Sequence, residues 1–252
     1  MEERKRVYLV GGAGAGLGSA LVSLLASRGA TVVASARQEK SLSRLEAAAK
    51  SGSWTFRPVV ADLKNLAEAE ALVAGVIREF GHLDGVAALA GGWMPGSPLI
   101  HESSEREWEE GLSNNLRPVY CLSHAALPAM IQQGGGSLVF VSATRAVRWA
   151  GTAAYGAAKG ALVELCEKMA HDYRPYGIRV NAVLPGNMPH NVEPTARPGP
   201  APRPRLRDTI ETGSWEVAHA ISFLLSREAE WVTGSTLVVD GGRSTGGEEQ
   251  RA

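Results

Sequence analysis

The sequence predicts an α/β fold: a doubly wound, mostly parallel sheet between two layers of helices, the three-layer Rossmann arrangement. Three observations predict it. Short apolar runs alternate with helically spaced segments from residue 7 to residue 239. A glycine-rich turn follows the first of these runs, and a length of 252 residues with 44% hydrophobic side chains suits one well-filled domain better than two. Strands joined by crossover helices pair in parallel and are covered on both faces. Right-handed crossovers then leave ligands to bind beyond the carboxyl ends of the strands.

The elements follow in order. Val7 to Val10 is a short apolar run ended by glycines, and Leu17 to Leu25 shows helical spacing. Thr31 to Ala34 reads as a strand, Leu42 to Lys50 as a helix, Phe56 to Ala61 as a strand and Leu66 to Phe80 as a helix. Leu83 to Ala90 is a strand, followed by a loop that holds Gly91, Gly92, Pro95 and Pro98. Ser104 to Met130 covers one long helical region, where Pro118 and Pro128 predict breaks or kinks because proline lacks a donor and clashes with the preceding turn. Ser137 to Ser142 is a strand, Ala153 to Tyr173 a helix and Arg179 to Leu184 a strand; Trp215 to Leu225 and Thr236 to Val239 close the chain with a helix and a strand. From about 187 to 213, prolines and arginines leave no apolar period, so this part of the single domain 1–252 is expected to be a surface loop serving as a substrate lid.

Composition excludes several classes. Lysine plus arginine equals aspartate plus glutamate, 26 against 26, so no overall field draws the chain to nucleic acid or an acidic membrane surface. No basic stripe, zinc spacing or spanning apolar segment is present, and the six histidines show no metal-ligand spacing, so no metal is expected. The uncharged run between Arg6 and Arg28 follows basic residues as a signal peptide would, yet five glycines interrupt it, which suits strand, turn and helix instead. Cys121 and Cys166 read as buried, reduced thiols of a cytoplasmic protein.

The first turn reads Gly11-Gly12-Ala13-Gly14-Ala15-Gly16-Leu17-Gly18. Glycine lets the backbone turn tightly and lets a pyrophosphate approach a helix N-terminus, where free amides and the dipole favour anions. Strict GxGxxG is absent; the spacing is Gly12-x-x-x-Gly16-x-Gly18, placed after the first strand of an alternating chain. The second strand ends Ser35-Ala36-Arg37. An acidic residue there would take both ribose hydroxyls of NAD, whereas a small residue followed by arginine suits the 2′-phosphate of NADP. NADP(H) is therefore favoured over NAD(H).

Tyr155 and Lys159 are spaced i, i+4 and so share one helix face. An ammonium beside the phenol is expected to stabilise the phenolate and lower its pKa. Ser142 ends the preceding strand, thirteen residues before the tyrosine, and Asn115 lies in the helix before that. With the glycine turn, this ordered set resembles the classical short-chain dehydrogenase/reductase family, in particular its 3-oxoacyl-carrier-protein reductases, from Gly11 to Gly242. Further matches are Asp62 with Leu63 at the adenine, Ala90-Gly91, Asn115-Leu116, Asn181-Ala182-Val183-Leu184-Pro185-Gly186 beside the nicotinamide, and Val239-Asp240-Gly241-Gly242.

The resemblance implies an oxidoreductase in which Tyr155 gives its proton to a carbonyl oxygen, Ser142 hydrogen-bonds that oxygen, Lys159 binds the nicotinamide ribose and Asn115 holds a water of the proton path. It implies cofactor contacts from Gly12, Gly14, Ala15, Gly16, Leu17, Gly18, Arg37, Asp62, Leu63, Ala90, Gly91, Tyr155, Lys159, Pro185, Gly186 and Met188, and packing into a homodimer or homotetramer. The chain departs from the family pattern at three places: Gly11 replaces a threonine, Ala88-Leu89 replaces asparagines that tie adjacent strands, and His190 replaces a threonine near the nicotinamide amide.

Pocket walls are expected from Trp93 and Met94, from Arg145, Arg148 and Trp149 in the segment Thr144 to Thr152, and from Met188, which together suit a small, partly apolar carbonyl or alcohol. Ile131-Gln132-Gln133 stands where carrier-protein reductases carry basic residues for docking, so a free substrate is preferred. Two other classes stay open. A redox-inactive NADP-binding sensor or scaffold would tolerate the odd residues, but needs no proton relay. A lyase such as a halohydrin dehalogenase typically loses the glycine turn and replaces the lysine, whereas Gly12, Gly16, Gly18 and Lys159 are all present here.

Overall fold

Val7, Tyr8, Leu9 and Val10 give the first strand, β1 (Val7–Gly11), a nearly continuous apolar run, and all five positions are buried, as suits the middle of a parallel sheet covered on both sides. The computed structural model describes residues 4–14, 16–94, 96, 98–188 and 212–245. Within them, β1 leads to α1 (Leu17–Ser27), β2 (Thr31–Ala36), α2 (Glu39–Gly52), β3 (Phe56–Val60), α3 (Leu66–Phe80) and β4 (Gly85–Ala88). The second half runs α4 (Glu105–Asn115), α5 (Arg117–Gln133), β5 (Gly136–Val141), α6 (Arg145–Ala150), α7 (Ala153–Tyr173), β6 (Ile178–Pro185), α8 (Ser214–Leu225) and β7 (Thr236–Val239).

All seven strands are parallel neighbours in the order β3-β2-β1-β4-β5-β6-β7. The chain reverses direction across the sheet between β1 and β4, which opens a crevice at their carboxyl ends, the place where open α/β sheets bind ligands. Alternation along the strands separates two cores. Val7, Leu9, Leu138 and Phe140 pack on the face covered by α3, α5 and α7; Tyr8, Val10, Val139 and Val141 pack on the face covered by α1, α2 and α8.

The predicted helical region from Ser104 to Met130 breaks at Leu116, where α4 ends and α5 begins. Pro118 sits in the first turn of α5, where its missing donor is no loss, and Pro128 is accommodated inside the same helix without ending it. The segment Thr144 to Thr152, expected as pocket wall, forms α6 with flanking residues. Ala15, His190 and nearly all of the predicted lid at 187–213 lie outside the described residues.

Two of the departures from the family pattern have structural compensation. A Cβ built on Gly11 would stand 2.5 Å from Leu122 Cδ2 and 2.9 Å from Leu63 Cδ1, so two leucines occupy the space a side chain would need. At Leu89, the backbone amide still donates to Gly11 O at 2.9 Å, which extends the pairing of β4 with β1 without an asparagine.

Candidate active site

The glycine turn bends over the end of β1. Gly12 has φ +85°, and a Cβ there would stand 2.6 Å from Ala90 N, so a side chain is excluded by both conformation and contact. Gly12 N and Ala13 N donate to Ser35 O at 2.9 and 2.8 Å, which pins the turn to β2. A Cβ on Gly18 would meet Ala13 Cα at 2.7 Å, so this glycine lets α1 approach the turn, while Gly14 faces open space. Gly16 (φ 76°) caps α1 with no side-chain cap and no acidic residue in the first turn, so Leu17 and its neighbours present an uncompensated positive helix end. This cradle fits a dinucleotide pyrophosphate.

The remaining predicted cofactor residues line the same edge of the sheet. Exposed Arg37 directly follows β2. Asp62 follows β3 by two residues; its Oδ1 accepts from Lys64 N at 3.1 Å, and its own amide donates to Glu68 Oε2 at 2.8 Å. The Leu63 side chain is buried in the core, which leaves its backbone at the crevice. Ala90 and Gly91 leave β4; Pro185 ends β6, and Gly186 and half-buried Met188 follow it.

Asn115, Ser142, Tyr155 and Lys159 are all buried. A Cβ built on Gly91 would lie 2.9 Å from Asn115 Oδ1 and 3.0 Å from Lys159 Nζ, so those two polar atoms converge over the bare backbone of Gly91. Asn115 Oδ1 accepts from Gly92 N at 3.0 Å and its Nδ2 donates to Gly111 O at 3.1 Å, which fixes the loop after β4 onto α4. Ser142 Oγ donates to Lys159 O at 2.6 Å, and Lys159 Nζ donates to Val141 O at 2.9 Å. The end of β5 and the second turn of α7 are thus cross-bonded in both directions.

The expectation that Lys159 lowers the Tyr155 pKa is corrected here. Burial pushes the Tyr155 phenol up to about 12 and the Lys159 ammonium down to about 8. The reason is geometric: Nζ turns to the Val141 carbonyl and lies 6.0 Å from the centre of the tyrosine ring, while both charges are desolvated.

Sequence reasoning missed what positions the tyrosine. Thr152 Oγ1 accepts from Tyr155 N at 3.2 Å and so starts α7 three residues before the phenol. The signal was legible as a threonine immediately before the helix. The Trp93 ring packs edge to face on Tyr155, with centroids 5.0 Å apart. A Cβ on Gly151 would stand 2.7 Å from Tyr155 Cδ1 and 3.1 Å from the Trp93 ring. A cavity of 190 Å³ opens beside this pair, lined by Trp93, Met94, Pro98, Ser103, Glu107, Trp108, Thr152 and Ala154. Arg145, Arg148 and Trp149 do not line it: the Arg145 guanidinium lies 3.9 Å over the exposed Trp149 ring, and Arg148 lies along α7 at Gly156 and Gly160.

Residues 12–244 match a family model described as enoyl-(acyl carrier protein) reductase. The chain is 31% identical to 2-(S)-hydroxypropyl-CoM dehydrogenase 3 of Xanthobacter autotrophicus, over 95% of this chain and 96% of that one. It is also 31% identical to a 3-oxoacyl-(acyl-carrier-protein) reductase of Vibrio cholerae, over 94% and 96%. Among solved structures it superposes on a 3-ketoacyl-ACP reductase from Sinorhizobium meliloti with a TM-score of 0.81 at 32% identity, covering 95% of this chain and 99% of that one. Levodione reductase superposes with a TM-score of 0.81 at 29% identity, covering 96% and 98%.

Proposed function

Because the chain belongs to the classical short-chain dehydrogenase/reductase family and is an oxidoreductase of carbonyl and alcohol groups, we propose that it uses NADP(H), with Tyr155 as its acid and base, on a small, partly apolar substrate. The observation that carries this reading is the buried set of Asn115, Ser142, Tyr155 and Lys159 at the carboxyl ends of β4 and β5, beside the uncapped N-terminus of α1.

The cofactor would be held at its pyrophosphate by Gly12, Gly14, Ala15, Gly16, Leu17 and Gly18, at its 2′-phosphate by Arg37, at its adenine by Asp62 and Leu63, and at its nicotinamide half by Ala90, Gly91, Pro185, Gly186, Met188, Tyr155 and Lys159. When bound it supplies the hydride. The chain supplies the proton and the polarisation. A phenol pushed up to about 12 keeps its proton throughout the neutral range, so Tyr155 is poised to donate to a carbonyl oxygen. Ser142 would steady the same oxygen by turning its hydroxyl away from Lys159 O. Lys159 and Asn115 converge over Gly91, where a water would continue the proton path to solvent.

Relatives that reduce carrier-bound 3-oxoacyl groups make that substrate class the second reading. Against it, Gln133 at the end of α5 is tied to the backbone of Leu83 and Gly135, and its neighbours Ile131 and Gln132 bring no basic group for an acidic carrier. A homodimer or homotetramer fits the exposure of Trp231 (97%), with Phe223, Leu237 and Val238 also exposed around α8 and β7. Two buried free thiols suit a reducing compartment, in keeping with a cytoplasmic enzyme. Among the described residues, no helix is long and apolar enough to cross a membrane.

Titration with NADPH and NADH, followed by the fluorescence of the reduced cofactor, tests the cofactor assignment. NADPH is expected to bind more tightly, and Arg37→Ala should weaken it by about 10- to 100-fold, the loss expected of a charge-assisted contact. Equal affinity for both cofactors, unmoved by Arg37→Ala, would overturn the NADP preference and leave the dehydrogenase chemistry standing.

A further inference from the structure

The cavity beside Trp93 is too small for a whole substrate, since ligand pockets usually measure about 300–1,000 Å³ and this one 190 Å³. It does adjoin the reaction centre. Trp93 lines it and also packs on Tyr155, while Thr152 and Ala154 come from the turn that starts the tyrosine's helix. It is therefore placed to take one end of a molecule whose other end reaches the phenol.

Its chemistry is uneven. Two indoles and the Met94 thioether line it, and among the described residues its one ionisable lining residue is Glu107. Ser104 N and Ser104 Oγ both donate to Glu107 Oε2 at 2.8 Å, and these bonds hold the carboxyl below its ordinary range, so it is charged at neutral pH. From Glu102 to Glu110 the sequence carries five glutamates against one arginine, Arg106, whose guanidinium is 3.5 Å from Glu110. The amide of Glu107 at the start of α4 is already taken by Ser104 Oγ at 3.2 Å, so an anion would meet the Glu107 carboxylate there and a spent helix cap. Indole rings attract cations through their quadrupole, and a neighbouring carboxylate adds to that attraction.

We infer that this cavity is a substrate subsite for an alkylammonium group, held between Trp93 and Trp108 and faced by Glu107. The substrates implied are carbonyl or alcohol compounds with a tertiary or quaternary amine at the distal end. The inference rests on the carbonyl/alcohol reading of the site, but its binding half can be tested without turnover.

Isothermal titration of the NADPH-loaded protein, which cannot oxidise an alcohol, with choline and with the carbon isostere in which tert-butyl replaces trimethylammonium, isolates the charge. Choline is expected to bind at least about tenfold more tightly than its isostere. Glu107→Gln, which can keep the hydrogen bond to the Ser104 amide, should shrink that ratio to about threefold or less. Trp108→Leu should weaken choline by about tenfold while melting close to the parent. Equal affinity for the two probes, no binding of either, or choline binding indifferent to both substitutions overturns the subsite. A second arm compares kcat/KM for a methyl ketone carrying a trimethylammonium tail and its tert-butyl isostere. Reduction of both ketones at equal efficiency overturns the subsite while the carbonyl reading stands. Failure to reduce either ketone, with choline binding as expected, leaves the cation subsite but overturns the claim that its occupant is the tail of the reacting ketone.

Discussion

Lys159 shows what burying a single charged residue costs in stability. Its ammonium is buried with one backbone carbonyl, Val141 O, as partner, and its pKa falls from 10.5 to about 8. An unfolded chain keeps the lysine proton to about pH 10.5, so burying the charge costs stability below about pH 8, and that cost fades as pH rises from 8 toward 10.5. Lys159→Met is therefore expected to stabilise the protein at pH 7, by roughly 2–3 kcal/mol, and to flatten the rise in melting temperature between those two pH values. A variant that melts lower than the parent at pH 7 would show that the carbonyl contact outweighs the desolvation. Tyr155 titrates the other way: its pKa is raised by burial, so its contribution is intact below pH 10 and is lost as pH climbs through about 12. Tyr155→Phe should leave the fold nearly unchanged and lower carbonyl reduction by about 10²–10⁴-fold, measured as NADPH consumption. The residue types and the i, i+4 spacing were legible in the sequence; the direction of the tyrosine shift was not, because it depends on where Nζ points.

At the scale of elements, the site is set by backbone approaches that only glycine permits and by one helix cap. Gly18→Ala would put a methyl 2.7 Å from Ala13 Cα and 3.2 Å from Gly12 O, both backbone atoms that cannot step aside. Dinucleotide affinity should fall by more than about tenfold, with a lower melting temperature, because α1 must draw back from the turn that cradles the pyrophosphate. Gly151→Ala would instead meet side chains, the rings of Tyr155 and Trp93. Its expected signature is a kcat lowered by about tenfold or more at near-normal cofactor affinity, since a displaced phenol loses its alignment. Thr152→Ala removes the acceptor for Tyr155 N and should cost about 0.5–2 kcal/mol in denaturant unfolding. The strands and helices themselves were readable from period and punctuation, and α3, α7 and β7 have the expected bounds. The break at Leu116 falls beside Pro118, where a break or kink was expected; what escaped was the short helix α6, which a hydrophobic period does not report.

For the whole molecule, the sheet order puts β7 at one edge with β6 as its partner, and that edge carries exposed Leu237 and Val238 near Trp231 and Phe223. Trp231→Glu combined with Val238→Lys is expected to lower the native mass measured by light scattering, and an unchanged mass would move the proposed contact elsewhere. The sequence carried the fold class, the placement of ligands beyond the carboxyl ends of the strands, and Asn115, Ser142, Tyr155 and Lys159 as the proposed proton-transfer residues. It could do so because strand and helix periods, glycine spacing and an i, i+4 pair are all local properties of a chain. Only the tertiary structure decided which side chains share the substrate cavity. Trp93 and Trp108 lie fifteen residues apart and Glu107 joins them because α4 packs against α7, while Arg148 and Trp149, closer in sequence to Tyr155, turn away on α6. Proximity to a catalytic residue along the chain places a side chain only within a helical turn or so; beyond that, the direction in which the next element packs decides what the substrate meets.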